Sequence, residues 1–223
     1  GAGGGAVGRR LALTGPAALA AALAAAPRLA RAQGAPAFMV YKDGLDGYSL
    51  EIPSTWVQVT STGSDVFYRN TFNLEENLFV NLSSPSSSAF ASVRDLGSPE
   101  EAAQGVIDRY LNEFMSTRLG IRRESEVVSA VEREGEDGKK YYDVAVRIRS
   151  FATLNQYGIT PQEREQRLEW DRTQLATFGV DNGRLYELRV QVPTSYYAKD
   201  QDTLGHVLGS FKVFPMEEGK TAI

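Results

Sequence analysis

The sequence predicts an α+β fold organised around an antiparallel sheet. Three observations lead there. Short segments of alternating apolar and polar residues recur along the chain, and two pairs of them flank tight-turn signals. A well-capped amphipathic helix separates the early group of strands from the late group. The resulting order, strands–helix–strands–helix joined by hairpins, favours antiparallel pairing. Neither a repeat nor a linker divides residues 33–223, which are expected to be one domain.

The stretch from Gln33 to Asp46 carries Pro36, Gly44 and two aspartates, and reads as an arm leading into the fold. Gly47–Pro53 alternates as a half-buried strand should, and Trp56–Val59 continues the extended pattern. Asp65–Arg69 and Leu78–Leu82 are further strands on either side of the turn-rich Asn70–Asn77. Leu78, Val80 and Leu82 share a face because side chains alternate across a strand. Ser83–Ser88 is a polar loop. The helix then starts at Ser98 as N-cap, with Pro99 in the first turn and Glu101 closing a capping box. Ala102, Ala103, Val106, Ile107, Tyr110, Leu111, Phe114 and Met115 recur four apart, a stripe suited to packing on a sheet, and Gly120 ends it.

The second half is β-rich. Val127–Glu134 and Lys139–Arg149 flank Gly135–Gly138, and Leu168–Val180 and Arg184–Val192 flank Asp181-Asn182-Gly183. Tyr142, Val144, Val146 and Ile148 form one core face at period two; Tyr186, Leu188, Val190 and Val192 form another. Between these hairpins, residues 151–167 interrupt the alternation. Asn155, Gln156 and Tyr157 within that excursion are candidate partner-docking residues, since long structured excursions often carry function. A last helix from about Lys199 to Gly209 and a short strand at Phe211–Phe214 close the domain.

The first 32 residues are of another kind. They contain no acid and four arginines (Arg9, Arg10, Arg28 and Arg31), in the order Arg9-Arg10, the Ala-rich stretch Leu11–Ala26, then Ala30-Arg31-Ala32. This is the layout of a cleavable leader, with Ala30 and Ala32 as the small-x-small cleavage signal and the arginine pair pointing to the twin-arginine route. The apolar stretch is shorter than the roughly 20 residues that span a bilayer, and Pro16 interrupts it. The opening Gly in place of Met leaves room for a further targeting segment upstream. Without the leader the net charge of −4 becomes −8, from 20 basic and 28 acidic side chains.

Composition excludes much chemistry. The chain has no cysteine and one histidine, so disulfides, cysteine-ligated zinc, iron–sulfur clusters, thiol catalysis and multi-His metal sites are out. An acidic chain is a poor nucleic-acid binder. Neither a Walker-type loop nor a dinucleotide fingerprint follows a strand, and a small-molecule substrate is not expected. Catalysis by a Ser–His–Asp site would have to use His206, in the closing helix, with no nucleophile-elbow context around any serine. Carboxylates offer the remaining chemistry, a hard cation such as calcium or manganese. Asp43-Gly44-Leu45-Asp46-Gly47 opens like a calcium loop, but Ser54 stands where a bidentate Glu belongs. Glu132, Glu134, Glu136 and Asp137 around a hairpin turn are the weak metal candidates, since alternate residues share a face; the alternative is a solvated acidic turn with Lys139 and Lys140 nearby.

Taken together, the ordered motifs resemble the PsbP family of thylakoid-lumen extrinsic proteins. Gly47-Tyr48-Ser49-Leu50-Glu51-Ile52-Pro53 with Trp56 resembles its entry strand, and Asp65-Val66-Phe67-Tyr68-Arg69 and Asn77-Leu78-Phe79-Val80-Asn81-Leu82 the strands that follow. Asp95-Leu96-Gly97-Ser98-Pro99-Glu100-Glu101 is similar to its helix start. Gly138-Lys139-Lys140-Tyr141-Tyr142-Asp143, Asn182-Gly183-Arg184-Leu185-Tyr186-Glu187-Leu188 and Ser210-Phe211-Lys212-Val213 are similar to its later strands. The resemblance covers about residues 38–214. It implies an α–β–α sandwich, a chloroplast protein of the thylakoid lumen, peripheral on the membrane, and action without catalysis. It also implies support of the photosystem II oxygen-evolving centre, partly through calcium retention, or of the assembly of photosynthetic complexes. The excursion at 151–167 and the short arm before Phe38 are more like PsbP domain-containing members than photosystem II PsbP proper.

Overall fold

Ten strands divide between two antiparallel sheets in the computed structural model, which describes residues 37–217 apart from 62, 85–88, 114–120, 154–156 and 163–164. The strands are β1 (Phe38–Asp43), β2 (Tyr48–Pro53), β3 (Trp56–Gln58), β4 (Val66–Asn70), β5 (Asn77–Leu82), β6 (Ile121–Glu134), β7 (Lys140–Thr153), β8 (Gln166–Asp181), β9 (Arg184–Pro193) and β10 (Lys212–Val213). The helices are α1 (Pro99–Glu113), α2 (Thr194–Tyr197) and α3 (Gln201–Ser210), with a 3-10 turn at Val93–Leu96. The central sheet runs β3-β4-β5-β9-β8-β7-β6, and a small sheet runs β1-β2-β10. The α+β class and the central antiparallel sheet are as the sequence predicts.

Both faces of β7 and β8 in the central sheet are buried, so these strands carry apolar residues at odd and even positions alike. On one face Tyr142, Val144 and Val146 of β7 and Ala176 and Phe178 of β8 meet Ala103, Val106 and Ile107 of α1. On the other, Tyr141, Ala145, Tyr186, Leu188 and Val190 meet Tyr48, Leu50 and Ile52 of β2 and Leu204 and Val207 of α3. Each such aliphatic side chain contributes about 1.5–3 kcal/mol by leaving water. The inward tyrosines keep their hydroxyls bonded at the rim: Tyr142 to the Gly97 carbonyl at 2.8 Å, Tyr186 to the Asp46 carbonyl at 2.6 Å. The helix start is as expected, with Ser98 Oγ accepting from Glu101 N at 3.2 Å and Glu101 Oε2 accepting from Ser98 N at 2.6 Å. Asn182 and Gly183 form the two-residue β8–β9 turn, both with positive φ (53° and 69°), the geometry that matches strand twist.

Three expectations need correction. The arm of residues 33–46 contains β1, which pairs with β2 from Phe38↔Pro53 to Asp43↔Tyr48. Its pattern is hard to read because the apolar Val40 sits on the exposed face while Met39 and Tyr41 pack inward. The excursion at 151–167 shrinks to residues 154–165, since Phe151, Ala152 and Thr153 pair with Leu168, Arg167 and Gln166. A register shift between Ser150 and Phe151 resets the alternation there, so one continuous strand looks broken. Finally, β6 begins at Ile121 rather than Val127; as an edge strand it pairs on one side only and tolerates the polar run Arg122–Glu126. The expected leader with Ala30 and Ala32, and Phe114, Met115 and Gly120, lie outside the described residues.

Candidate functional site

The acidic turn does not gather its carboxylates. Glu132 accepts both nitrogens of an Arg94 fork at 3.0 and 3.1 Å, and Glu134 pairs with Lys140 at 2.6 Å. Glu136 pairs with Lys212 at 2.7 Å, and Asp137 accepts the Tyr141 hydroxyl at 2.6 Å. The reason is local: β6 ends at Glu134, the chain turns, and each acid has its own donor within reach. Arg94 holds the Glu132 carboxyl below its usual range, and Lys212 does the same for Glu136. Four separate partners replace one shared cation. Of the candidate docking residues, Asn155 and Gln156 lie outside the described residues, and Tyr157 is 78% exposed.

His206 lies on α3, half-exposed over an open groove of about 410 Å³ between α3 and β2. Its Nε2 is 2.6 Å from Glu51 Oε2, and its ring lies 4.1 Å from that of Phe38. The serine nearest in sequence on the same groove, Ser210, is committed elsewhere: its Oγ donates to the Val207 carbonyl at 2.7 Å and accepts from Glu51 N at 2.8 Å. The imidazole therefore has a carboxylate partner and, among the described residues, no serine hydroxyl bonded to it.

Three carboxylates do converge elsewhere. Asp43, Asp46 and Asp65 each offer an oxygen within 4.8 Å of the others, at the β1–β2 turn and the start of β4. Asp43 Oδ1 accepts the backbone N–H groups of Leu45 and Asp46, both at 2.9 Å, which shapes the turn. Asp46 faces the Arg184 guanidinium at 3.2 Å, and the buried Tyr48 hydroxyl donates to Asp65. Desolvation raises the Asp65 pKa; the Tyr48 bond opposes this, and the charges of Asp46 and Asp43 add to it. Sequence reading singled out Asp43 and Asp46 but missed Asp65, which the pairing of β4 and the small sheet's turn bring across from another part of the chain. What such a trio can do is hold a hard divalent cation through oxygen ligands.

The raised pKa has a sign. A carboxyl that binds its proton more tightly folded than unfolded costs stability once it ionises, above its unfolded value of about 3.9. Asp65→Asn keeps an oxygen for Tyr48 and removes that cost. The variant is expected to melt higher than the parent near neutral pH, with the gain vanishing below about pH 3. Equal gains at both pH values would show that charge is not the cause.

Comparison with known proteins places the chain in a family. A family model described as PsbP matches residues 36–213. The chain belongs to the PsbP family. Among its PsbP-family relatives is PsbP domain-containing protein 1, chloroplastic, of Arabidopsis thaliana, 47% identical over 178 residues. That match covers 80% of this chain and 62% of the relative, so the chain spans under two thirds of that protein's length. CyanoP of Thermosynechococcus vestitus is 29% identical across 78% of this chain and 85% of its own. The solution structure of CyanoP from Synechocystis shares the fold, with a TM-score of 0.57 at 23% identity over 82% of this chain and 96% of that one. The PsbP match begins two residues before β1 and ends at the last residue of β10, so it takes in both sheets and all three helices.

Proposed function

We propose that this chain is a non-catalytic accessory protein of the thylakoid lumen that docks peripherally on a photosynthetic membrane complex, photosystem II or photosystem I. The observation that carries the reading is PsbP-family membership over residues 36–213, with a chloroplastic relative 47% identical. The twin-arginine layout of residues 1–32 supports passage into the lumen. The clefts of the described residues are open, and the one imidazole is spent on Glu51 and Phe38, which supports docking rather than turnover. No described helix is long and apolar enough to cross a membrane.

An acidic domain docks through ionic contacts that salt weakens, because the Debye length falls to about 3 Å at 1 M. Washing thylakoids with about molar salt is expected to release the mature protein. Retention at that salt would overturn electrostatic docking. Pull-down from solubilised thylakoids then separates photosystem I from photosystem II as partner.

A second reading, cation retention, is favoured by the Asp43–Asp46–Asp65 trio rather than by the 132–137 turn. Calorimetry with calcium and with manganese tests it. Binding should weaken by about tenfold or more in Asp65→Asn. Heat unchanged in that variant would remove the trio from consideration.

A further inference from the structure

The α1 helix packs chiefly on β6 and β7 and reaches β9 through the Arg109–Glu187 pair, leaving the same face of β4 and β5 beyond it. Register decides what that open face displays. One cross-strand row is Phe67, Phe79 and Arg189; the next is Arg69, Asn77, Gln191 and Gln174. The two phenylalanine rings stack at 6.3 Å and 17°. Arg69 lies 5.5 Å from the ring of Phe67, and Arg189 lies 5.2 Å from that of Phe79. Arg172 reaches in from β8, 4.7 Å over Trp170. Between them is a cleft of about 390 Å³, walled by Tyr110 on one side and Leu74 on the other.

The charge of the cleft opposes that of the chain. Among the described residues Arg69, Arg172 and Arg189 line it with one carboxylate, Glu75, 3.7 Å from Arg172; the charge of Arg189 is met behind the lining by Glu187 at 3.1 Å. Arg69 has no carboxylate partner among the described residues, and the buried Nε atoms of Arg69 and Arg172 make no hydrogen bond. A positive, aromatic cleft on an acidic protein calls for an anionic ligand, since guanidinium forks match carboxylates and rings stack under them.

Beside the cleft the β4–β5 loop is braced. Glu76, 6% exposed, accepts the side-chain amides of Asn70 at 2.5 Å and Asn73 at 2.8 Å. The side-chain oxygens of the same asparagines take the backbone N–H groups of Phe72 at 2.9 Å and Glu75 at 3.3 Å. On this rigid loop Phe72 is 85% exposed and Leu74 65%. Large apolar side chains held out by a pre-organised loop lose little entropy on contact, which is what a docking anchor needs. The arginines, by contrast, are set back: Arg69 and Arg172 are partly buried and Arg189 is only 3% exposed. A flat bilayer surface does not reach into such a cleft; a side-chain carboxylate does.

We propose that this cleft binds an acidic peptide segment of a partner protein, with a carboxylate on Arg69 and Arg172 and a neighbouring apolar side chain on Phe72 and Leu74. The proposal rests on the docking reading and names the surface responsible. Selection from a displayed random-peptide library on the full chain tests it. Enriched peptides are expected to carry Asp or Glu beside an apolar residue. Their affinity, read by fluorescence anisotropy, should fall about tenfold in Arg69→Gln and in Arg172→Gln and severalfold in Phe72→Ser, and stay unchanged in Lys42→Gln on the small sheet. Circular dichroism melts establish that each variant is folded. Enrichment of neutral or basic peptides, or affinity indifferent to Arg69, would overturn the proposal. So would binding to phosphatidylglycerol vesicles, in place of peptides, that Phe72→Ser abolishes. An Arg69→Gln/Arg172→Gln chain that salt still releases from thylakoids as it does the parent overturns this surface and leaves docking standing. A parent chain that salt does not release overturns docking itself.

Discussion

Replacing Glu187 by alanine is expected to destabilise the protein by about 3–5 kcal/mol, among the largest losses any single side chain here would produce. Glu187 lies on β9, 7% exposed, and its Oε1 accepts from Arg189 at 3.1 Å and from Arg109 at 2.8 Å. Arg109, on α1, is partly in water and can rehydrate. Arg189 cannot: its side chain is 4% exposed and its charge is held in place by Glu187 and the face of Phe79. Removing the carboxylate therefore takes a charged partner from a buried cation. Guanidinium denaturation would read the loss directly. The double variant Glu187→Leu/Arg189→Leu, which removes both charges, should recover most of it, because a buried ion pair adds little net stability over apolar packing of similar volume. A loss under about 1 kcal/mol in Glu187→Ala would mean that the remaining contacts of Arg189 hold its charge without Glu187.

Gly47→Ala is expected to cost about 3 kcal/mol, lowering the melting temperature by about 6–12 °C. Two terms act together. Gly47 has φ +77°, which disfavours any L side chain by about 1–2 kcal/mol. A Cβ there would also lie 2.4 Å from the Phe214 carbonyl oxygen, which is backbone and has little room to move. That carbonyl is already fixed by the Asn182 side-chain amide at 3.0 Å, which also donates to the Tyr186 hydroxyl at 2.9 Å. The β1–β2 turn, the β8–β9 turn and the C-terminal segment thus meet at one point. Gly183→Ala isolates the first term. Its φ is +69°, but a Cβ would meet nothing within 4 Å, so it should cost only the backbone term of about 1–2 kcal/mol. Equal losses in the two variants would show that the carbonyl contact costs nothing. Because Asp43 and Asp46 sit in the same turn, Gly47→Ala should also loosen the carboxylate trio.

Local pattern carried most of the fold. The capping box at Ser98, the hairpin at Asn182-Gly183 and the alternation through Tyr142–Ile148 are set by residues a few positions apart, so a reader of the chain sees them. β1 escaped because its exposed Val40 breaks the alternation, and the far end of the β7–β8 ladder escaped because Glu169, an extra residue on β8, shifts the phase of that strand by one. Sites were far less legible. The acidic turn attracted notice because its carboxylates are adjacent in sequence, yet adjacency on either side of a strand end sends them to different cations. The trio of Asp43, Asp46 and Asp65 and the cleft of Arg69, Arg172 and Arg189 join residues from distant strands. By itself the sequence determined the fold class, the helix and hairpin positions, the acidic balance and the PsbP-family resemblance, all of which depend on short-range pattern or ordered motifs. Only the tertiary structure decided which charges face each other and which sheet face stays open, because strand order and register, not sequence distance, bring side chains together.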